Sequence, residues 1–326
     1  MGATDTAAEL EIAVDLATVR AAHARIRPHV HHTPVLTSRS LDAAMGAALF
    51  FKCENLQKVG AFKARGACNA VFSLDDAEAR RGVITHSSGN HGAAVAWAAA
   101  RRGIPAWVVM PDNSAEVKKA AVQGLGAAVR YCAPTLAARD TTCAAVQAET
   151  GALLIHPFDD WRVIAGQGTA ALELLEEIPD LDAILTPVGG GGLLSGTAIA
   201  ARAIKPSIAV YGAEPAGADD AWRSLQSGHI VPQTDPRTIA DGLRSSLGVK
   251  TFAVLSKLVD AIGTTSEPAI VQAMRLAWEK LKLIIEPSSA VPLAALLERK
   301  LPVAGRRVGI VISGGNVDLD RLPWQH

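Results

Sequence analysis

The sequence predicts an α/β fold, on three observations. Short runs rich in Val, Ile and Ala alternate with Ala- and Leu-rich amphipathic stretches from about residue 47 to about residue 312, the pattern of parallel strands joined by helical crossovers. Several of the short runs end in clusters of Gly, Ser and Asn just before a helical stretch begins, where such folds turn from strand to helix. The 326 residues, 49% hydrophobic and 20% charged, are enough for two lobes that bury their own cores.

Taken in order, the expected strands are 48–52, 82–85, 106–110, 127–131, 153–156, 183–188, 209–213 and 308–312, each followed by a turn signal or a helix-like segment. The three runs between 82 and 131 lie close together. They suggest a small domain over 76–159, inserted into a large domain formed by 1–75 and 160–326. Residues 183–201 carry no charge over 19 positions, but Pro187 and four consecutive glycines make the stretch a buried strand, loop and helix start rather than a membrane span.

Charge narrows the partners. With 32 basic and 32 acidic residues, no net field favours nucleic acid or an anionic membrane, so the expected partner is a small molecule. Cys53, Cys68, Cys132 and Cys143 have neither Cys-x-x-Cys spacing nor the density of a secreted scaffold. Together with the lack of a visible signal peptide, this points to a cytoplasmic protein. The opening Met1-Gly2-Ala3-Thr4-Asp5-Thr6 fits a myristoylation pattern, yet no polybasic patch follows to add a second anchor.

Four constellations carry chemistry. In Phe51-Lys52-Cys53-Glu54-Asn55-Leu56-Gln57-Lys58-Val59-Gly60-Ala61-Phe62-Lys63-Ala64-Arg65-Gly66, Lys63 follows a glycine turn at a helix start, where a partly desolvated amine could form an imine. An ordinary solvated lysine is the plain alternative. In His86-Ser87-Ser88-Gly89-Asn90-His91-Gly92, between a strand and an alanine-rich helix from Ala93, free N–H groups and hydroxyls could cradle a carboxylate. A simple helix cap would account for one of its serines. Pro187-Val188-Gly189-Gly190-Gly191-Gly192-Leu193-Leu194-Ser195-Gly196 reads as strand, glycine loop and helix, suited to a phosphate. Glu214 follows about 20 residues later, where a dinucleotide fold places its ribose acid, so a nicotinamide-dependent oxidoreductase competes, although its third glycine is out of register. Finally, Ile312-Ser313-Gly314-Gly315-Asn316 closes a strand, and Ser313 could offer its hydroxyl to a bound ring.

Together with Ile164-Ala165-Gly166-Gln167-Gly168-Thr169 and Glu286-Pro287-Ser288-Ser289, these motifs occur in order over roughly residues 17–320. In them the chain resembles the fold-type II pyridoxal-phosphate enzymes, the family of serine/threonine dehydratases, serine racemases and 3-hydroxyaspartate dehydratases. The resemblance implies a two-lobed, tryptophan synthase β-like architecture and a homodimer. It gives Lys63 the cofactor, as a Schiff base, and the substrate α-proton. Gly189, Gly190, Gly191, Gly192 and Leu193 would hold the phosphate, Phe62 would pack beside the ring, and Asn90 would bond its 3-hydroxyl. Ser313 would face the ring nitrogen, with Glu286 and Asn316 also around the cofactor. Ser87, Ser88, Asn90 and His91 would meet the substrate carboxylate. Glu214, Asp220 and the Ala218 carbonyl match a divalent-cation site of racemase-like members, suited to Mg2+ or Mn2+; without the resemblance they read as a solvated acidic turn.

Two reactions follow from the resemblance, and both need Lys63. A dehydratase removes the β-hydroxyl as water and yields a keto acid and ammonia, whereas a serine or aspartate racemase returns a proton to the opposite face, with Ser88 as the second acid/base. Phe158 stands where serine racemases have asparagine and many dehydratases an aromatic residue, which favours dehydration. Arg139 aligns with an arginine able to bind a second carboxylate, with Ser245 nearby, so 3-hydroxyaspartate is an expected substrate beside serine and threonine. Arg139 as a solvated helix residue is the alternative.

Overall fold

The computed structural model describes residues 10–87, 89–114 and 116–325. The Met1-Gly2 pattern and Ser88 therefore lie outside the described residues. Among the described residues, ten strands form two sheets: β1 (Val35–Leu36), β2 (Ala48–Cys53), β3 (Val83–His86), β4 (Ala106–Pro111), β5 (Ala128–Cys132), β6 (Leu153–Leu154), β7 (Ala183–Pro187), β8 (Ala209–Pro215), β9 (Ala261–Thr265) and β10 (Arg307–Ile312).

The six-stranded sheet runs β1-β2-β10-β7-β8-β9 and is parallel apart from the antiparallel edge strand β1. Its side chains alternate between two apolar layers. Leu185 and Ile310 join Met274, Val291 and Leu293 on one face, while Ile184 and Val210 join Leu172, Leu194 and Phe252 on the other. The four-stranded sheet, β5-β4-β3-β6, is parallel throughout, with Val83 and Val108 in one layer and Ile84 and Val109 in the other. Strands buried on both faces lose the polar alternation of an exposed sheet, which is why they read as continuous apolar runs.

Every expected strand is present. Two additional ones, β1 and β9, are not marked in the sequence: β1 has only two residues, and Gly263 interrupts the apolar run of β9. The helix expected from Ala93 begins at Asn90. Asn, His and Gly are weak helix formers, but packing overrides propensity. A Cβ on Gly92 would stand 2.9 Å from Val108 Cγ1, so only glycine lets this turn lie so close to β4. The uncharged stretch resolves into β7, the glycine loop and the buried helix Gly192–Ile204. No helix among the described residues is long and apolar enough to cross a membrane.

Candidate active site

The candidate loops follow the carboxyl ends of β2, β3, β7 and β10, the side on which parallel sheets gather ligands. Lys63 opens the helix Lys63–Phe72. Its preceding segment is stitched to the end of β10: Phe62 N–H donates to Ser313 O at 2.9 Å, and Ala61 forms a bridge with Gly314. Lys63 Nζ donates to the Pro157 carbonyl at 2.7 Å, just beyond β6, so this side chain spans the two sheets. Burial strips water from the amine and lowers its pKa from 10.5 to about 8, while the Glu286 carboxylate pulls the other way. The Phe62 ring centre lies 5.2 Å from Nζ.

Beneath Lys63 sits a charge cluster to which the sequence assigned no role. Arg65 donates to Glu54 through Nε and Nη2, and to Glu173 through Nη1 and Nη2, at 2.7–2.8 Å. Lys52 Nζ reaches Glu173 at 2.7 Å and Thr33 O at 2.7 Å. Two cations face two carboxylates with no net charge left, which is how ionised groups survive in an interior. Burial alone would raise the pKa of Glu173. Hydrogen bonds from His23 and Arg65 and the charges of Arg65 and Lys52 instead carry it far below the usual range.

The tetraglycine loop is hemmed in on every side. A Cβ on Gly189 would stand 2.9 Å from Gly242 O, one on Gly190 would stand 2.2 Å from the Phe158 ring, and one on Gly191 would stand 2.8 Å from Thr251 Cβ. Gly191 also takes φ +88°, a conformation that side chains resist. The loop then enters the 13-residue helix Gly192–Ile204, in which Leu193 is buried and whose first turn has amides without helical partners. Bare backbone N–H groups at a helix N-terminus suit a phosphate.

Around the end of β10, Ser313 Oγ is 2.9 Å from Ser289 Oγ, which accepts from Gly314 N–H at 2.6 Å. Asn90 Nδ2 donates to both oxygens of Glu286 at 3.0 and 3.1 Å. Asn316 Nδ2 donates to Asn90 Oδ1 at 2.9 Å and to Val59 O at 2.8 Å.

The helix Asn90–Arg102 starts at Gly89 without a side-chain cap, so its first amides are open to an anion. Ser87 Oγ accepts from Gly89 N–H at 3.2 Å and fixes the turn. His91 is placed differently from expectation. Its Nε2 lies 3.2 Å from Ile155 O, and burial, with the nearby Lys63 charge, lowers its pKa well below 6.5. A neutral imidazole whose N–H is spent on Ile155 has no ring proton for a carboxylate, so the main-chain N–H is what His91 can offer there. Arg139 lies in the helix Leu136–Thr150, and its buried Nε has no hydrogen-bond partner. Its charge, after burial and against Asp140, helps depress the pKa of His86. Ser245 is half-buried between Leu243 and the helix Val249–Leu258.

Glu214, at the end of β8, is buried and accepts from the N–H groups of Ala221 and Trp222 at 3.1 and 2.9 Å. A carboxylate fully withdrawn from the surface is out of reach of a ribose, which removes the support for a dinucleotide site. Burial and the Asp220 charge raise the Glu214 pKa well above 4.5, and burial raises that of Asp220 to about 7. Asp220 Oδ1 is buried without a partner. Two desolvated carboxylates, one with an orphaned oxygen, fit a hard cation. Among the described residues, however, no group of three or more His, Cys, Asp or Glu side chains gathers, so main-chain oxygen and water would have to complete a shell.

The fold and the phosphate-ready loop define a cofactor enzyme, and comparison with known proteins agrees. Residues 26–314 match the family model for pyridoxal-phosphate dependent enzymes, and the chain belongs to that family. It is 51% identical to the beta-hydroxyaspartate dehydratase of Paracoccus denitrificans (strain Pd 1222), over 93% of this chain and 96% of the relative. The maize serine racemase structure superposes with a TM-score of 0.93 at 50% identity, covering 94% of this chain and 95% of the other. The structure of the T.th. threonine deaminase gives 0.89 at 46%, covering 94% and 99%.

Proposed function

We propose that this protein is an ammonia-lyase that eliminates water from a β-hydroxy amino acid, with 3-hydroxyaspartate, serine or threonine as substrate. The products are a 2-keto acid and ammonia; from 3-hydroxyaspartate the keto acid is oxaloacetate. The observation that carries the dicarboxylate is the buried Arg139 Nε, which lacks an acceptor. A buried guanidinium N–H left unmated costs stability, and a second substrate carboxylate would satisfy it with a charge-assisted bond.

Lys63 is the proposed cofactor lysine and α-proton base. With a pKa of about 8, a useful share of the amine is neutral near pH 7 and able to take a proton. When bound, pyridoxal phosphate supplies the electron sink for the carbanion that proton loss creates. The amides of residues 189–193 would hold its phosphate, and Asn90, Glu286, Ser313 and Asn316 would surround its ring. The first-turn amides of the helix Asn90–Arg102, with Ser87 and Ser88, would hold the substrate carboxylate. Phe158, packed on Gly190, leaves a wall without a proton donor, which suits elimination.

We further propose that Glu214, Asp220 and the Ala218 carbonyl hold Mg2+ or Mn2+. Four buried free cysteines suit a reducing, cytoplasmic setting. A homodimer fits the exposed Leu56 and Ile284, neighbours through the Asn55 Nδ2 to Ile284 O bond at 3.1 Å. Light scattering tests that assembly.

The second reading is serine racemisation, favoured by 50% identity to the maize serine racemase. A panel of serine, threonine and 3-hydroxyaspartate isomers, scored for pyruvate, 2-oxobutyrate, oxaloacetate, ammonia and D-serine, separates the two. D-Serine without keto acid would refute the lyase. Borohydride reduction followed by peptide mapping places the cofactor, and a label away from Lys63 would refute its role.

A further inference from the structure

Asn316, Asn90 and Glu286 form a chain of hydrogen bonds whose direction is fixed at both ends. The Val59 carbonyl can only accept, so the Asn316 atom 2.8 Å from it must be the amide nitrogen. The same nitrogen lies 2.9 Å from Asn90, so the Asn90 atom it meets is the oxygen. The Asn90 amide nitrogen is then left facing the Glu286 carboxylate, another acceptor, at 3.0 and 3.1 Å. Reversing either amide would set acceptor against acceptor. The orientation thus follows from the two end groups.

The start of the chain is held by unusual backbone. Val59 takes φ +54°, a left-handed conformation that a β-branched residue resists, and Gly60 follows at φ +71°. This pair turns the Val59 carbonyl toward Asn316. It also makes the seat: a Cβ on Gly60 would lie 2.4 Å from Asn316 Oδ1, so any side chain there would push Asn316 out. Gly315 N–H ties back to Gly60 O at 2.9 Å and closes the unit. Asn316 is open to solvent, so its two bonds and its glycine seat are what hold it.

We propose that Asn316 is a positioning residue that commits Asn90 to present a hydrogen-bond donor, never an acceptor, to the cofactor ring, and so favours the ionised form of the ring oxygen. This rests on the reading that Lys63 carries pyridoxal phosphate. With its oxygen tied to Asn316, Asn90 has only N–H to offer, and an anionic oxygen is the ring atom that gains most from it. Val59 and Gly60 act through Asn316.

The test compares the wild type with Asn316→Asp and Asn316→Leu. Aspartate accepts where asparagine donated, so it competes with Glu286 and the ring for the Asn90 N–H and no longer ties up the Asn90 oxygen; leucine keeps the volume and removes the bonds. The measurements are the dissociation constant for pyridoxal phosphate, by fluorescence titration, and the ratio of visible to near-ultraviolet absorbance of the bound cofactor at fixed pH. Loss of one such bond is worth about three- to tenfold. The expected result is a visible share lowered most in Asn316→Asp and less in Asn316→Leu, with the dissociation constant raised about three- to tenfold in both. If Asn316→Asp fails to fold by circular dichroism, Asn316→Leu carries the test alone. An unchanged absorbance ratio in the folded variants overturns the proposal, even if affinity falls, because a purely structural role would not alter the ring's ionisation. Borohydride mapping of the wild type separates the two ideas: a label at Lys63 with unchanged variant spectra sinks the positioning role alone, whereas a label elsewhere sinks both.

Discussion

Arg65 grips Glu54 through Nε and Nη2 at 2.7 and 2.8 Å, with both side chains fully withdrawn from water. Because Arg65 lies two positions beyond Lys63 in one helix, this pair fixes the base on which the lysine stands. Arg65→Met would leave two buried carboxylates with Lys52 as the one fully buried cation beside them, and breaking a buried pair in this way costs about 3–5 kcal/mol. Urea unfolding of the cofactor-free protein should show that loss. Much of it should return in the double variant Arg65→Met with Glu54→Leu, since removing both charges avoids the orphaned one.

The Lys63 amine gives a pH signature. Its folded pKa of about 8 lies below the ordinary 10.5, so between those values the unfolded chain binds more protons and stability rises with pH. Below about pH 8 the burial penalty is complete. In Lys63→Met this part of the rise should vanish, a difference visible in paired unfolding curves from pH 7 to 10. Acylation of Lys63 in the cofactor-free protein should titrate with a midpoint near 8; a midpoint near 10.5 would contradict the desolvation.

Gly190→Ala should cripple cofactor binding. The added methyl would lie 2.2 Å from the Phe158 ring, so the loop or the ring must move. We expect pyridoxal phosphate affinity to fall by about a hundredfold or more, the scale of losing two or three hydrogen bonds to a charged group. Trimming the ring in Gly190→Ala with Phe158→Leu should recover part of it, as measured by equilibrium dialysis.

Arg139→Ala should discriminate among substrates. A charge-assisted bond is worth about 1.5–3 kcal/mol, so kcat/KM for 3-hydroxyaspartate should fall about tenfold to a hundredfold. Turnover of serine should change little. An equal loss for both would place Arg139 in the general support of the small sheet.

Cation binding is tested by removal. Treatment with a chelator should lower Tm, and Mn2+ or Mg2+ should restore it, because a ligand of the folded state alone stabilises by mass action. Glu214→Gln should abolish the restoration. A response identical to wild type would exclude Glu214 as a ligand.

Much of the fold was legible because the central strands are buried on both faces and read as plain apolar runs, as Ile184-Leu185 and Val108-Val109 do. The candidate site loops stand out in the sequence because glycine clusters at strand ends have few other uses. The Arg65 cluster was not. Its members Lys52, Glu54 and Glu173 are far apart or unremarkable in sequence, and charged residues are ordinarily solvated. A lone Arg two positions after Lys63 was the available hint.

By itself, then, the sequence determined the α/β class, the order of the strands along the chain, the glycine loop and the candidacy of Lys63, all of which depend on local composition and spacing. Tertiary structure decided what each group can do. It desolvated the Lys63 amine, spent the His91 ring on Ile155, buried Glu214 against two backbone amides and set the direction of the Asn90 amide from Val59 and Glu286. Protonation and hydrogen-bond polarity depend on neighbours as far as 257 positions away in the chain, so no local pattern encodes them.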